Sequence, residues 1–183
     1  MVEQRSNRQP GATEVIMILF TRKQIQEEVK RLGEEITNDY SGLNPLLIGV
    51  LKGSFVFLAD LVRKMDMRVE IDFIELASYK GTTSTGKVEI LKLPRTETFG
   101  RHVIIVEDIV DTGLTIACLK DKYDGWVTQS LTVCTLLDKP SRRVIPVHID
   151  YTGFEIEDKF VVGYGLDHDG QYRNKPDIHI LEE

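Results

Sequence analysis

The residues best suited to chemistry lie close together between His102 and Thr115, in the run HVIIVEDIVDTGLT. Three carboxylates, Glu107, Asp108 and Asp111, fall within five positions and are followed by Thr112, Gly113, Leu114 and Thr115. Adjacent acids suit the hydroxyls of a polyol or a hydrated Mg2+ ion. The turn after them suits an anion, because hydroxyls, free backbone N–H groups and the dipole of an opening helix all favour negative charge there. One short loop thus offers places for a sugar and a phosphate together. On residue types alone a plainer reading stays open, in which Asp111 caps the helix and Glu107 and Asp108 are solvated.

The elements around this loop must place it at an edge. Val103 to Val106 is an unbroken apolar run, the pattern of a strand buried on both faces, and the strand is read as ending in Glu107, Asp108 and Asp111. In an open α/β sheet, ligands gather at the carboxyl ends of such strands. Leu46 to Leu51 is a second buried strand, leading into Lys52-Gly53-Ser54 and an apolar-periodic helix with Phe55, Leu58, Leu61, Val62 and Met65. A third apolar strand within Trp126 to Leu137 ends in Asp138-Lys139-Pro140. On spacing alone, both lysines are surface charges.

Other segments complete the frame. Val15 to Phe20 reads as a strand, Thr21 and Gln24 form a capping box, and Ile25, Val29, Leu32 and Ile36 give an amphipathic helix to about Tyr40. Arg68 to Leu76 alternates as a strand, with Val69, Ile71 and Phe73 on one face and Ile74 and Leu76 on the other. Ser78 to Gly86 holds no large apolar side chain except Tyr79, so it is either a floppy hairpin or a lid that closes over a ligand. Val88 to Leu93 returns as a strand. Gly163 and Gly165 do not make a dinucleotide fingerprint, since the third glycine is misplaced and no βαβ unit follows.

A chain of 183 residues can bury a full core, and one domain over 1–183 is expected, with 1–12 as a mobile tail. The net charge of −6 argues against nucleic-acid binding through a basic face. Cys118 and Cys134 have neither CxxC nor metal-ligand spacing and are read as buried, reduced thiols of a cytoplasmic protein. No apolar run approaches membrane-spanning length, so no membrane partner is expected.

Four motifs carry a family resemblance that covers roughly residues 14–175. VEDIVDTGLT resembles the phosphoribosyl pyrophosphate motif of type I phosphoribosyltransferases. LKGS, SYKGTTSTG and DYTGFEIEDKFVVGYGLD resemble the pyrophosphate loop, the flexible catalytic loop and the purine-binding end of the purine branch of that family. The resemblance implies an α/β fold, a central parallel sheet flanked by helices, with a small hood over the base built from about 13–20 and 151–183. It implies transfer of the 5-phosphoribosyl group from phosphoribosyl pyrophosphate to N9 of hypoxanthine or guanine, giving IMP or GMP plus pyrophosphate.

Residue roles follow from the same resemblance. Asp111 is the implied catalytic acid–base at N7 of the purine, Glu107 and Asp108 hold the ribose hydroxyls, and Thr112, Gly113, Leu114 and Thr115 take the 5-phosphate. Lys52 and Gly53, with an implied cis peptide between Leu51 and Lys52, and Arg173 take pyrophosphate. Ser78 and Tyr79 belong to the closing loop. Lys139 meets the 6-oxo group, Phe160 stacks on the base and the main chain near Val161 reads its edge. Mg2+ is implied as cofactor, with Asp167, Glu107 and Asp108 as ligands, and a homodimer or homotetramer as the assembly. Two alternatives remain: a preference for xanthine, or a nucleotide-sensing RNA-binding regulator of the same fold, against which the acidic balance weighs. Two features depart from the family pattern: His168 stands where an aromatic is common, and the tail NKPDIHILEE has no mapped counterpart.

Overall fold

The computed structural model describes residues 15–78, 88–124 and 127–182. The expected tail at 1–12 and the loop from Tyr79 to Gly86 lie outside the described residues. Strand β1 (Val15–Phe20) leads into helix α1 (Arg22–Tyr40). The capping box forms as read: the Thr21 hydroxyl accepts from the Gln24 N–H, and the Gln24 side chain accepts from the Thr21 N–H at 3.0 Å. Ile25, Val29, Leu32, Gly33, Ile36 and Tyr40 form the buried stripe of α1, the spacing of one helical face.

Then come β2 (Leu46–Leu51), α2 (Phe55–Val62), β3 (Glu70–Ser78), β4 (Val88–Lys92), β5 (His102–Val110), α3 (Leu114–Asp124) and β6 (Ser130–Asp138). The chain continues through β7 (Tyr151–Glu155), β8 (Val161–Val162) and β9 (Ile178–Glu182). Six strands form one sheet in the order β4-β3-β2-β5-β6-β7. Its β3, β2, β5, β6 and β7 are parallel, and β4 pairs antiparallel at one edge.

The unbroken apolar strands are explained by a core on each face of this sheet. Leu47, Ile104 and Val106 point to the side of α1 and α2, packing with Ile25, Leu32, Ile36, Phe57 and Leu61. Their neighbours Leu46, Ile48, Val103 and Ile105 point the other way, to Ile116 and Leu119 of α3. Strand alternation therefore buries every residue of the run rather than every second one. On β3 the two predicted faces hold, with Val69 and Phe73 against one core and Ile74 and Leu76 against the other, but Ile71 is exposed.

Several expectations need correction. Helix α2 ends at Val62, and Met65 is buried in the turn behind it. Phe57 rather than Phe55 fills the core, because Phe55, two positions earlier, sits on the nearly opposite side of the helix and is exposed. Cys134 is fully buried, whereas Cys118 is only half-buried. The tail with no mapped counterpart forms β9, the middle strand of a second, three-stranded antiparallel sheet, β1-β9-β8. The hood does not begin at 151: residues of β7 pair in parallel with β6, from Cys134↔Tyr151 to Asp138↔Glu155, and belong to the large sheet. Gly153 permits this, since a Cβ there would lie 2.5 Å from the Leu136 carbonyl oxygen. Among the described residues no helix is long and apolar enough to cross a membrane.

Helix α1 approaches the turn that follows α2 closely at Gly33, where a Cβ would lie 2.7 Å from Cβ of Lys64. Alanine is the better helix former by up to about 1 kcal/mol. Here that gain is outweighed by overpacking, which costs about 1–3 kcal/mol. Gly33→Ala should therefore lower the free energy of unfolding in urea; a stabilised variant would show that α1 and the turn after α2 do not meet at this position.

Candidate active site

The carboxyl ends of β2, β5 and β6 converge on one edge, and the loops that follow them supply most of the candidate residues. The acids lie at the carboxyl end of the central strand as expected: β5 runs through Glu107 and Asp108 to Val110, and Asp111 follows it. Both acids are therefore part of the sheet, not of the turn, and are held by ladder pairing such as Glu107↔Thr135 with β6. Glu107 is only 7% exposed, and its Oε2 is buried with no hydrogen-bond partner among the described residues. Burial, with the negative charge of Asp108, pushes its carboxyl well above the usual range. Asp108 is raised to about 6, chiefly by burial; backbone N–H groups and Arg173 oppose the rise, and Asp167 adds to it.

Asp108 lies directly against the loop after β2. A Cβ on Gly53 would fall 1.8 Å from its Oδ2, so only glycine fits there. The Leu51–Lys52 peptide is cis, as the resemblance implied. Ser54 does not cap α2; its Oγ donates to the Val50 carbonyl at 2.6 Å, closing the turn that carries Lys52 and Gly53.

Two hollows adjoin at this edge and share Glu107 and Thr115. One lies at the start of α3, among Asp111, Thr112, Gly113 and Ile116, and the other among Leu51, Gly53, Leu76 and Asp108. The first is shaped by Gly113, whose φ of +85° is in the left-handed region and whose Cβ would meet the Ile145 carbonyl at 2.4 Å. The Thr112 carbonyl accepts from the N–H groups of Val144 and Ile145 at 2.9 and 3.1 Å. The turn is thereby fixed from outside, leaving its inner side to the hollow. Leu114 opens α3, and its N–H reaches Thr112 Oγ1 at 3.4 Å.

Beyond this turn two arginines appear that residue types had not singled out. Arg142 Nε donates to Asp111 Oδ1 at 3.1 Å and its Nη1 to Asp158 Oδ2 at 3.4 Å. Arg143 donates to the Asp111 carbonyl at 2.8 Å and pairs with Asp138. The basic run after Lys139-Pro140 was their only signal. Lys139 is not the solvated turn lysine of the spacing argument. It is 7% exposed, and its Nζ donates to the Lys159 carbonyl at 2.6 Å. Burial pulls its ammonium below the ordinary value, partly offset by Asp111 and Asp158, while Arg142 lowers it further.

That bond ties Lys139 to the residue before Phe160, whose ring is 48% exposed and meets His168 edge-on at 5.2 Å between ring centroids. The Phe160 carbonyl accepts from Leu181 N–H, and Val161 is buried in β8. Arg173 forms a 2.6 Å ion pair with Asp167 and donates to the Gly165 carbonyl at 2.6 Å. Asp167 also accepts from the Gly170 N–H. The three acids expected to share Mg2+ are not gathered into a cage: among the described residues no three His, Cys, Asp or Glu side chains converge to hold a metal. Asp167 is turned to Arg173 and Gly170 instead. Ser78 ends β3, and Tyr79 lies outside the described residues.

This fold and edge define a class. The family model described as the phosphoribosyl transferase domain matches residues 19–169. The chain belongs to that family. It is similar to a hypoxanthine-guanine phosphoribosyltransferase of Streptococcus pneumoniae, 46% identical over 167 residues that span 91% of this chain and 93% of the relative. A crystal structure of a hypoxanthine-guanine phosphoribosyltransferase from Bacillus anthracis superposes with a TM-score of 0.86 at 44% identity, covering 93% of this chain and 100% of that one. A hypoxanthine phosphoribosyltransferase from Trypanosoma cruzi, in complex with the product IMP, gives 0.84 at 42% identity, covering 96% and 97%.

The raised carboxyl of Asp108 has a measurable consequence. Between about pH 4 and 6 the folded protein keeps a proton that the unfolded chain has released, so this group's contribution to stability falls as pH rises through that window. Asp108→Asn removes the dependence. Above pH 6 the variant should be more stable than the parent by about 1–3 kcal/mol, the gap closing below about pH 4. Urea titrations across pH measure it; a gap independent of pH would mean that Asp108 is ionised throughout.

Proposed function

We propose that the protein is a purine salvage enzyme that transfers the 5-phosphoribosyl group of phosphoribosyl pyrophosphate to N9 of hypoxanthine or guanine. IMP or GMP forms and pyrophosphate leaves. The observation that carries the reading is Lys139, a buried side chain whose ammonium is anchored to the carbonyl of Lys159, the residue before the open ring of Phe160. A cation with three donors and no acceptor at the edge of a flat apolar surface suits a 6-oxopurine. The kinship with hypoxanthine-guanine phosphoribosyltransferases supports it.

The chemistry follows the charges. Breaking the bond from C1 of the ribose to pyrophosphate leaves positive charge on the sugar and negative charge on the departing group. Lys52, the backbone at Gly53 and Arg173 stabilise the anion electrostatically. Glu107 and Asp108 accept the ribose hydroxyls, giving the orphaned Glu107 Oε2 a donor. The turn from Asp111 to Thr115 takes the 5-phosphate. Phe160 stacks on the base, the main chain at Val161 meets its edge, and Asp111 holds the proton at N7. The loop of Ser78 and Tyr79 excludes water, which would otherwise hydrolyse the activated sugar.

Mg2+ fits this edge as a substrate-borne ion. It binds through one or two carboxylates and completes its shell with phosphate oxygens and water. The oxygen donors Glu107 and Asp108, with the unpartnered Oε2, and Asp167 nearby, meet that need without a cage of their own. When bound it neutralises charge on the diphosphate. The working unit is a homodimer or homotetramer, acting in the cytoplasm.

Initial rates with hypoxanthine, guanine, xanthine and adenine test the assignment, with adenine expected to be essentially unused. A buried donor left facing the 6-amino group would be unpaired, which rejects that base strongly. Lys139→Gln offers both a donor and an acceptor, so it should lose 6-oxopurine efficiency and narrow the gap to adenine; an unchanged ratio would remove Lys139 from base recognition.

Asp111→Asn keeps the shape of the turn and removes the ionisable group. Turnover should fall by roughly 10²–10⁴-fold, the usual weight of a general acid–base group, with sugar-phosphate binding much less affected. Near-parental turnover would leave Asp111 as a partner of Arg142 only.

A further inference from the structure

The two groups assigned to the departing pyrophosphate, Lys52-Gly53 and Arg173, come from opposite ends of the described chain, and something must fix their separation. The segment Gly163-Tyr164-Gly165 lies between them. All three residues are in the left-handed region, with φ of +98°, +51° and +102°. Glycine tolerates this; tyrosine there is uncommon and has to be held by its surroundings. The backbone is pressed from several sides. A Cβ on Gly163 would lie 2.1 Å from the Asp177 carbonyl oxygen, and one on Gly165 would lie 2.2 Å from that of Gly53. The N–H groups of Tyr164 and Gly165 donate to the carbonyls of Lys175 and Arg173 at 2.9 and 3.0 Å. The Gly165 carbonyl in turn receives Nη1 of Arg173. Gly165 is thus in contact with both halves of the pyrophosphate site.

The Tyr164 side chain anchors this segment to the core. Its ring is 4% exposed, and its hydroxyl donates to Asp60 Oδ2 at 2.6 Å. Gln26 of α1 donates to the same oxygen at 2.6 Å, and Arg63 pairs with the other. Burial opposes the charge on Asp60, but these donors together bring its carboxyl below the ordinary value, so the acceptor is an anion. Asp60 belongs to α2, the helix that begins directly after Lys52-Gly53-Ser54. The left-handed segment is therefore joined to this region twice, at Gly53 in the loop before α2 by backbone packing and at Asp60 within α2 by a charged hydrogen bond.

We infer that Tyr164, held by Asp60 and Gln26, is a positioning residue that sets the Lys52-Gly53 loop and Arg173 at the spacing the pyrophosphate group requires. This rests on the phosphoribosyl transfer proposed above. Tyr164 acts through Gly165 and touches no substrate. Its loss weakens binding of the diphosphate end and leaves the base end, fixed separately by Lys139 and Phe160, as it was.

Tyr164→Phe removes one oxygen and keeps the ring. Steady-state kinetics should show KM for phosphoribosyl pyrophosphate raised roughly tenfold to hundredfold, the weight of a hydrogen bond to a charged group, with KM for hypoxanthine within about twofold. Asp60→Leu should reproduce this split, Asp60→Asn, which keeps an acceptor, should largely restore parental values, and the double variant Tyr164→Phe/Asp60→Leu should be no worse than either single change. Equal changes in both KM values, or a lowered Tm with neither KM moved, would overturn the inference and make the pair a structural tie. The two Asp60 variants decide the question alone if Tyr164→Phe does not fold. If the unmodified protein turns over none of these substrates, the proposed function fails. Calorimetric titration of inorganic pyrophosphate with Mg2+ then reads the inference by itself, and unchanged affinity in Tyr164→Phe would overturn it.

Discussion

Parallel pairing of β2, β5 and β6 is the constraint on which the rest depends. Because the three strands run the same way, their carboxyl ends finish at one edge, and each must be followed by a loop that turns back over a face of the sheet. The register Gly49↔Val106, with Val106↔Cys134 beyond it, sets the relative heights of those ends. Lys52-Gly53, Asp108 and Lys139 are brought into one neighbourhood by that register before any of them makes a polar contact. A slip of one residue in β5 would exchange its two apolar faces and turn Glu107 to the opposite side. The two cores, which together bury every residue from Val103 to Val106, are what forbid the slip.

The edge so formed is not relaxed. Two adjacent carboxyls sit in the last part of the central strand, one of them with a buried oxygen that no other described residue satisfies. A group of that kind costs free energy in the folded state until a donor or cation arrives. The same sheet that places Glu107 and Asp108 therefore also holds them in a state that a ligand rich in hydroxyls improves. Stability and affinity are coupled here through the same oxygens.

Local signals were read well and distant ones poorly. The capping box of Thr21 and Gln24, the buried runs of β2, β5 and β6 and the stripe of α1 each depend on neighbours a few positions away, so their pattern was visible in the residues. The burial of Lys139 was not, because it depends on a carbonyl twenty residues along the chain, at Lys159. The link of Tyr164 to Asp60 spans 104 residues, and Arg142 reaches back 31 residues to Asp111. The tail that had no mapped counterpart became the middle strand of the second sheet for the same reason: its apolar residues match β1, far away, and nothing beside them. The placement of β7 in the large sheet and the turning of Asp167 to Arg173 likewise follow from tertiary partners rather than from local sequence.

The second sheet has a consequence for the order in which the molecule assembles. Pairing Val15 with Glu182 closes a loop that encloses nearly the whole described chain, and loop-closure entropy must be met before those contacts stabilise anything. The pairs β2–β3 and β5–β6, each between neighbouring strands in sequence, close much shorter loops. The edge that carries the acids thus belongs to the part of the fold of lower contact order, and the sheet backing Phe160 to the part of higher contact order. Thermal opening should run in reverse. The three-stranded sheet releases first, while the acid-bearing strands are still paired, giving a partly open form in which the edge at Glu107 and Asp108 outlasts the surface around Phe160.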